Sequence, residues 1–206
     1  MAAASPDRAP TADAPADPAA TGRRREVLVR ALGDPDAAVR EAASRALDRL
    51  EQRADVAALR ERLRHDDPGE RIATLQALGA IADPSAVPAV VACLRDPIED
   101  VRVVAVRTLA ELGDPKTVGP LAECLDDPSV HVRRQAVEAL ARFADRRLVP
   151  ILRAVLDAPE PELVAAALRA LGACGEADAE ALVVDFCNHA DAGVRAAAVE
   201  ALGELP

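Results

Sequence analysis

The three histidines, His65, His131 and His189, are the side chains best suited to acid–base or metal chemistry in this sequence. They are 66 and 58 residues apart, and none lies in an HExxH motif or in another ligand pair at helical spacing. The run His65-Asp66-Asp67 could supply metal ligands, but the same position suits the start of a helix. We therefore expect no metal ion, no cofactor and no catalytic histidine.

The four cysteines form no CxxC pair; they are Cys93, Cys124, Cys174 and Cys187. A catalytic thiol needs a histidine and an electropositive pocket, and the sequence places neither beside these sulfurs. Cys93 and Cys124 are 31 residues apart at equivalent positions, which predicts a separation of one helix spacing, about 8–10 Å, too long for a disulfide. We interpret all four as small core side chains of a protein in a reducing compartment, and predict a cytoplasmic location.

Composition and charge disfavour several other classes of protein. Asp and Glu outnumber Lys and Arg by 35 to 25, and the chain has two Phe but no Trp or Tyr, so it lacks the charge and the aromatic surface of a nucleic-acid binder. No apolar run approaches the roughly 18 residues of a membrane span, and the N-terminus lacks the apolar segment of a signal peptide. Neither a GxGxxG motif nor a Walker loop is present, so nothing indicates a nucleotide site.

A repeat of 31 residues organises the chain after residue 20. One column of this repeat is Leu in all six units: Leu47, Leu78, Leu109, Leu140, Leu171 and Leu202. The predicted repeats are 21–51, 52–82, 83–113, 114–144, 145–175 and 176–206. Residues 1–20 are mainly Ala, Pro and Asp, cannot bury enough surface to offset their ordering entropy, and are predicted to form a disordered tail.

Within each repeat the apolar residues follow the spacing of two helices. In the third repeat, residues 87–94 and 101–112 carry apolar side chains three and four residues apart. Asp83-Pro84 and Asp96-Pro97 supply a capping carboxylate and a first-turn proline, and Gly113 can end the second helix in the left-handed conformation. A lone hairpin cannot cover its apolar face, so the repeats must stack. The predicted fold is an all-α solenoid of six helical hairpins.

The recurring pattern DPxxxVRxxAxxAL resembles the HEAT repeat, in its short bacterial form called the phycobilisome-lyase HEAT-like repeat. The strings that carry the resemblance are DPDAAVREAASRAL (34–47), DPIEDVRVVAVRTLAELGDP (96–115) and DPSVHVRRQAVEAL (127–140). The resemblance implies a fold but no single function, because scaffolds, bilin lyases, an iron-dependent hydroxylase and DNA glycosylases share the repeat. The sequence lacks the His-Glu pairs of the hydroxylase, and its two aromatic residues, Phe143 and Phe186, fall in core columns rather than in the basic groove of a glycosylase.

The resemblance also implies a ladder of Asp and Arg residues that bond across turns and between repeats. The matching pairs are Asp34 with Arg40, Asp96 with Arg102, and Asp127 with Arg133. Repeat five has Ala158 and Val164 at these positions, and repeats two and six have His65 and His189 in place of Asp. We expect the ladder to be interrupted at these three repeats.

The second helix of each repeat has a face opposite its core stripe, and in HEAT-like repeats the second helices line a concave groove. Over the six repeats this face holds six Arg and five Glu, although the chain as a whole is acidic. Its middle is apolar and is flanked by arginines. The predicted partner-binding residues are Ile72, Gln76, Val103, Val104, Arg107, Arg134, Gln135, Arg142 and Arg169. A plainer interpretation is that Val and Ile tolerate exposure singly and that Val104 belongs partly to the core.

These features predict a non-catalytic scaffold or adaptor whose groove holds an acidic, partly apolar peptide or protein segment, with arginines on its carboxylates. A bilin-lyase-like enzyme or chaperone subunit is the alternative, because those lyases have no compact catalytic motif that this sequence could lack. A nucleic-acid binder is a third and less favoured class, and no membrane partner is predicted. The last repeat keeps Val199 apolar where an outer face should be polar, which predicts weak end-to-end association of copies.

Overall fold

The computed structural model describes residues 18–175 and 179–205. In this part of the chain there are eleven α-helices and no strand. The α-helices are α1 (Pro18–Ala31), α2 (Ala37–Arg62), α3 (Pro68–Ile81), α4 (Val87–Ala92), α5 (Glu99–Leu112), α6 (Val118–Glu123), α7 (Val130–Ala141), α8 (Val149–Val155), α9 (Pro161–Cys174), α10 (Glu180–Val184) and α11 (Ala192–Glu204). Short 3₁₀ turns flank the shorter helices, at Pro84–Ala86, Cys93–Arg95, Pro115–Thr117, Cys124–Asp126, Arg146–Leu148 and Asp185–Asn188. Of the helices described here, none is long and apolar enough to cross a membrane.

Helix α1 begins at Pro18, within the segment 1–20 that the sequence predicts to be a disordered tail. The fixed φ of proline suits the first position of a helix, and its missing N–H is not needed there. The prediction is therefore wrong for residues 18–20. Residues 1–17 lie outside the described part of the chain.

The chain forms two compact units, Met1–Asp55 and Val56–Pro206. Helix α2 runs without a break from Ala37 to Arg62, so no helix end separates the predicted first and second repeats. The sequence explains this continuity, because Glu51 and Gln52 offer neither a left-handed residue nor a capping carboxylate. Later repeats end differently, at residues with positive φ in the column of Glu51: Ala82, Gly113, Ala144 and Gly175.

In the second unit the second helices of the repeats, α3, α5, α7, α9 and α11, pack on one another in chain order. The shorter first helices α4, α6, α8 and α10 each pack against the second helix that follows them. The leucine column forms the centre of the core, where Leu78, Leu109, Leu140 and Leu171 have no exposed surface. The prediction of an all-α solenoid of helical hairpins is confirmed.

Aspartates organise the turns between these helices. Asp83, Asp114 and Asp145 each accept a hydrogen bond from the backbone N–H two residues later, at 2.8–2.9 Å. Gly113 ends α5 at a φ of 64°, as predicted. Asp96 differs from the prediction: its Oδ1 accepts from the N–H of Ile98 at 2.9 Å, but the N-cap residue of α5 is Ile98 itself. Asp96-Pro97 therefore forms the turn before the helix rather than its cap.

Candidate functional site: the exposed face of the second helices

A ladder of buried ion pairs holds the second helices in register. Arg102 donates from Nε and Nη2 to the Asp127 carboxylate at 2.8 and 3.0 Å, and from Nη1 to the Asp96 carbonyl at 2.9 Å. Arg71 makes the equivalent bonds to the Asp96 carboxylate, both at 2.8 Å. These side chains are at most 12% exposed, so each guanidinium fixes both the turn of its own repeat and the turn of the next.

The predicted interruptions of the ladder are only partly correct. Arg133 meets the carboxylate of Glu160, two residues beyond Ala158, so the ladder continues into repeat five. The longer Glu side chain reaches the guanidinium from this displaced position. At Val164 no guanidinium is available, and the ladder ends there as expected.

The histidines of repeats two and six replace aspartate as acceptors within their turns. His65 Nδ1 accepts from the N–H of Asp67, and His189 Nδ1 from the N–H of Asp191, both at 3.1 Å. The His189 ring also stacks on Phe186, with ring centroids 6.2 Å apart. These nitrogens therefore have structural roles. Among the described residues no group of three or more His, Cys, Asp or Glu side chains is placed to hold a metal ion.

The buried cysteines are unreactive thiols. Cys93 and Cys124 lie in the core, and burial raises the pKa of both thiols to about 11. Their Sγ atoms donate to the carbonyls of Ala89 and Pro120 at 3.5 and 3.4 Å. Cys174 and Cys187 are half-buried at the core margin. None of these four residues, all within the described chain, is in a disulfide.

The predicted binding residues differ in how much of them reaches solvent. Gln76, Arg107, Arg142 and Arg169 are exposed, whereas Ile72 and Val103 are half-buried and pack against the core. Val104 is only 8% exposed and belongs to the core, so its prediction as a solvent-facing residue is wrong. It lies at the margin of its helix face, where packing from the neighbouring second helices α3 and α7 closes over α5.

Ion pairs further divide the predicted arginines. Arg134 donates to Glu138 at 3.1 Å, and Gln135 donates to the other oxygen of the same carboxylate. These two predicted residues are therefore held by their own helix. No ion pair within the described residues involves Arg107, Arg142 or Arg169. The face thus presents one uncommitted cation on each of three successive second helices, α5, α7 and α9.

A shallow depression of about 400 Å³ lies between α3 and α5. Its lining is Gln76, Gly79, Ala80, Arg107, Thr108 and Glu111. Gly79 makes room for the carboxylate of Glu111, because a Cβ at residue 79 would lie 2.5 Å from Glu111 Oε2. The Thr108 hydroxyl is already used, since it donates to the Leu75 carbonyl at 3.4 Å. Sequence reasoning placed Ala80 and Glu111 on this face but not in the site, and the role of Gly79 depends on a neighbouring helix that the sequence does not locate.

Stacked helical hairpins, a ladder of Arg and carboxylate side chains and an exposed second-helix face define an α-solenoid repeat protein. The chain belongs to the HEAT repeat family, and HEAT repeats match its residues 16–78, 58–141, 87–171 and 149–206.

The structural comparisons agree with this assignment. The complex of CpcE and CpcF of phycocyanin lyase from Nostoc sp. PCC7120 is 30% identical, with a TM-score of 0.64 over 73% of this chain. The chain spans 64% of the length of that lyase chain. A designed armadillo repeat protein in complex with the peptide (KR)4 is 20% identical, with a TM-score of 0.58 over 87% of this chain and 98% of that one. YibA from Escherichia coli is 19% identical, with a TM-score of 0.59 over 94% of this chain and 77% of that one. No curated protein matches significantly.

Proposed function

We propose that this protein is a non-catalytic scaffold or adaptor that binds an acidic, partly apolar peptide segment on its second-helix face. The observation that carries the proposal is the set of three exposed arginines, Arg107, Arg142 and Arg169, which make no ion pair within the described residues. The half-buried Ile72 and Val103 lie on the same face and would contact apolar side chains of the ligand.

Arginine suits this task because its planar guanidinium forms paired hydrogen bonds with a carboxylate. The chain as a whole has a net charge of −10, so an acidic ligand is repelled at long range and attracted only near this face. The neighbouring carboxylate of Glu138 is already bonded to Arg134 and Gln135 and does not compete for the three arginines.

The test uses a fluorescein-labelled peptide of Glu, Leu and Thr as the probe, with binding followed by fluorescence anisotropy. Arg107→Glu combined with Arg142→Glu should weaken binding at least about tenfold, because each charged hydrogen bond is worth about 1.5–3 kcal/mol. The stability of the variant should change little, since both side chains are exposed and unpaired in the described structure.

A matched control is Arg95→Glu combined with Arg153→Glu, which makes the same change of net charge on exposed first-helix positions. Binding by this control should match the wild type at moderate salt. Equal weakening by both double variants would reduce the effect to net charge, and failure of the wild-type protein to bind the probe would refute the proposal.

A second candidate function is that of a bilin-lyase-like enzyme or chaperone subunit, which is favoured by the 30% identity to the phycocyanin lyase complex. Its test is to mix the chain with a bilin and an apoprotein of the pigment-binding type. Covalent pigment on the apoprotein, formed only when the chain is present, would favour this function over simple scaffolding.

We also propose weak end-to-end association of copies through repeat six, and a reducing compartment such as the cytoplasm as the place of action. The association is supported by Val199, which is 62% exposed on α11. A reducing compartment suits four cysteines of which none is in a disulfide.

A further inference from the structure

The three uncommitted arginines have a regular geometry across the second helices. Arg107 and Arg169 occupy the same repeat position on α5 and α9, and Arg142 lies four residues further along its own helix, α7. Packed helix axes are about 8–10 Å apart, and four residues of helix rise about 6 Å. Successive arginines on this path are therefore about 10–12 Å apart. An extended peptide covers about 10 Å in three residues.

The acidic side chains near this path are turned away from it or already bonded. Glu138 on α7 is held by Arg134 and Gln135 of the same helix. Glu111 on α5 is placed toward α3, because its Oε2 lies against the backbone of Gly79. A ligand that crosses from α5 to α9 would therefore meet the three guanidinium groups with little competition from the protein.

The two ends of the path differ in charge. On α3 the equivalent positions are the uncharged Gln76 and Ala80, whereas on α11 they are Glu200 and Glu204. Both glutamates are exposed, and no ion pair within the described residues involves them. From α3 to α11 the face therefore changes from neutral, through three positive helices, to negative.

We propose that the occupant is an extended segment that crosses the second helices with acidic residues three apart, at i, i+3 and i+6, and a basic residue at i+9 over α11. This inference rests on the proposed function and adds the spacing and the charge order of the ligand. The acidic residues would lie on Arg107, Arg142 and Arg169 in turn, and the basic residue on Glu200 and Glu204.

The first experiment compares labelled peptides of one composition by fluorescence anisotropy. The spaced peptide has Glu at i, i+3 and i+6, Lys at i+9, and Thr and Ser elsewhere to favour an extended chain. The second has its three Glu residues adjacent, and the third has them at i, i+7 and i+14 in an Ala-rich helix, where seven residues also span about 10 Å.

The spaced peptide should bind at least about tenfold more tightly than the other two. If all three bind equally and the Arg107→Glu, Arg142→Glu double variant weakens each of them, the spacing is refuted while the proposed function stands. Tighter binding of the helical peptide overturns the extended conformation, and the absence of binding by any peptide refutes both proposals.

A charge exchange tests the α11 end separately. Replacing the Lys of the spaced peptide by Glu should weaken binding to the wild type, and Glu200→Lys combined with Glu204→Lys should restore it. Glu123→Lys combined with Glu180→Lys is the matched control, because it adds the same charge at exposed first-helix positions. If the control restores binding equally, or if the α11 variant does not restore it, the proposed charge order is wrong.

Discussion

At the scale of single residues, the helix ends of repeats two to five share one backbone conformation but not one residue type. Gly113 and Gly175 adopt φ values of 64° and 65°, and Ala82 and Ala144 adopt φ values of 55° and 44° in the same column. The left-handed region costs a residue with a Cβ about 1–2 kcal/mol, whereas glycine enters it freely. Two of the four helix ends therefore carry backbone strain.

Ala82→Gly should relieve this strain. The gain is offset in part by the larger backbone entropy that glycine loses on folding, so the net stabilisation should be about 0.5–1 kcal/mol. The opposite change, Gly113→Ala, should destabilise by about 1 kcal/mol, because nothing lies within 4 Å of the added Cβ and only the backbone conformation matters. Urea unfolding of both variants measures the two signs, and a destabilised Ala82→Gly protein would contradict the argument.

Single residues also mark the limit of sequence reasoning. Gly113 was predictable because glycine is typical of a left-handed helix end, whereas Ala82 and Ala144 carry no such signal. Val104 occupies an edge position of its helix, and whether it is exposed depends on the neighbouring helices rather than on its own. Its burial follows from packing that a single helical projection does not include.

At the scale of helices, close packing and ion pairs determine how neighbouring repeats meet. A Cβ on Gly172 would lie 2.8 Å from the Cα of Ala201, so glycine lets α9 and α11 approach closely. This agrees with the packing role expected for the glycines that follow the core leucine. Gly203, in the same column, has nothing within 4 Å of its Cβ position, because the contact requires a following helix.

The ion pair between Arg102 and Asp127 should make stability depend on pH. Burial acts to raise the pKa of Asp127, but hydrogen bonds from Arg102 and the Ser129 N–H outweigh it and leave the pKa below its usual value. The pair therefore contributes fully above the unfolded-state pKa of about 4, and the contribution is lost as pH falls through the lower folded-state pKa.

Arg102→Ala should cost about 3 kcal/mol at neutral pH, because it leaves a buried carboxylate without its partner. The difference from the wild type should shrink below about pH 4, where Asp127 becomes protonated. Urea unfolding at both pH values provides the measurement. Arg147→Ala is the control, since the Arg147 side chain is 83% exposed and its loss should change stability little. A deficit that stays constant with pH would show that Arg102 stabilises by packing alone.

At the scale of the whole molecule, the sequence was sufficient for the fold because the core position is repeated. Leu109 and its equivalents identify the core, and the 31-residue period gives the number of repeats. The binding face could be predicted only in part, because it depends on pairs such as Arg134 with Glu138 and on contacts between helices, as at Gly79. Glu160 extends the ladder from outside its expected column, which no fixed period could predict.

The final prediction concerns association of whole molecules. Val199 belongs to a column whose members Leu75, Val106, Val137 and Leu168 have no exposed surface, yet Val199 is 62% exposed. A side chain that every earlier repeat of the second unit buries thus lies open on α11. Because heterologous contacts of this kind do not close, copies should add end to end rather than form a fixed dimer.

Sedimentation velocity should therefore give a weight-average mass that rises with concentration into the high micromolar range. Val199→Asp should abolish the rise, because a charge would have to be desolvated in the contact. Ile98→Asp is the control, since Ile98 is a large apolar residue, 40% exposed, that precedes α5 in the middle of the chain. A wild-type protein that stays monomeric throughout would refute the association, and loss of the rise in both variants would place the contact elsewhere than on α11.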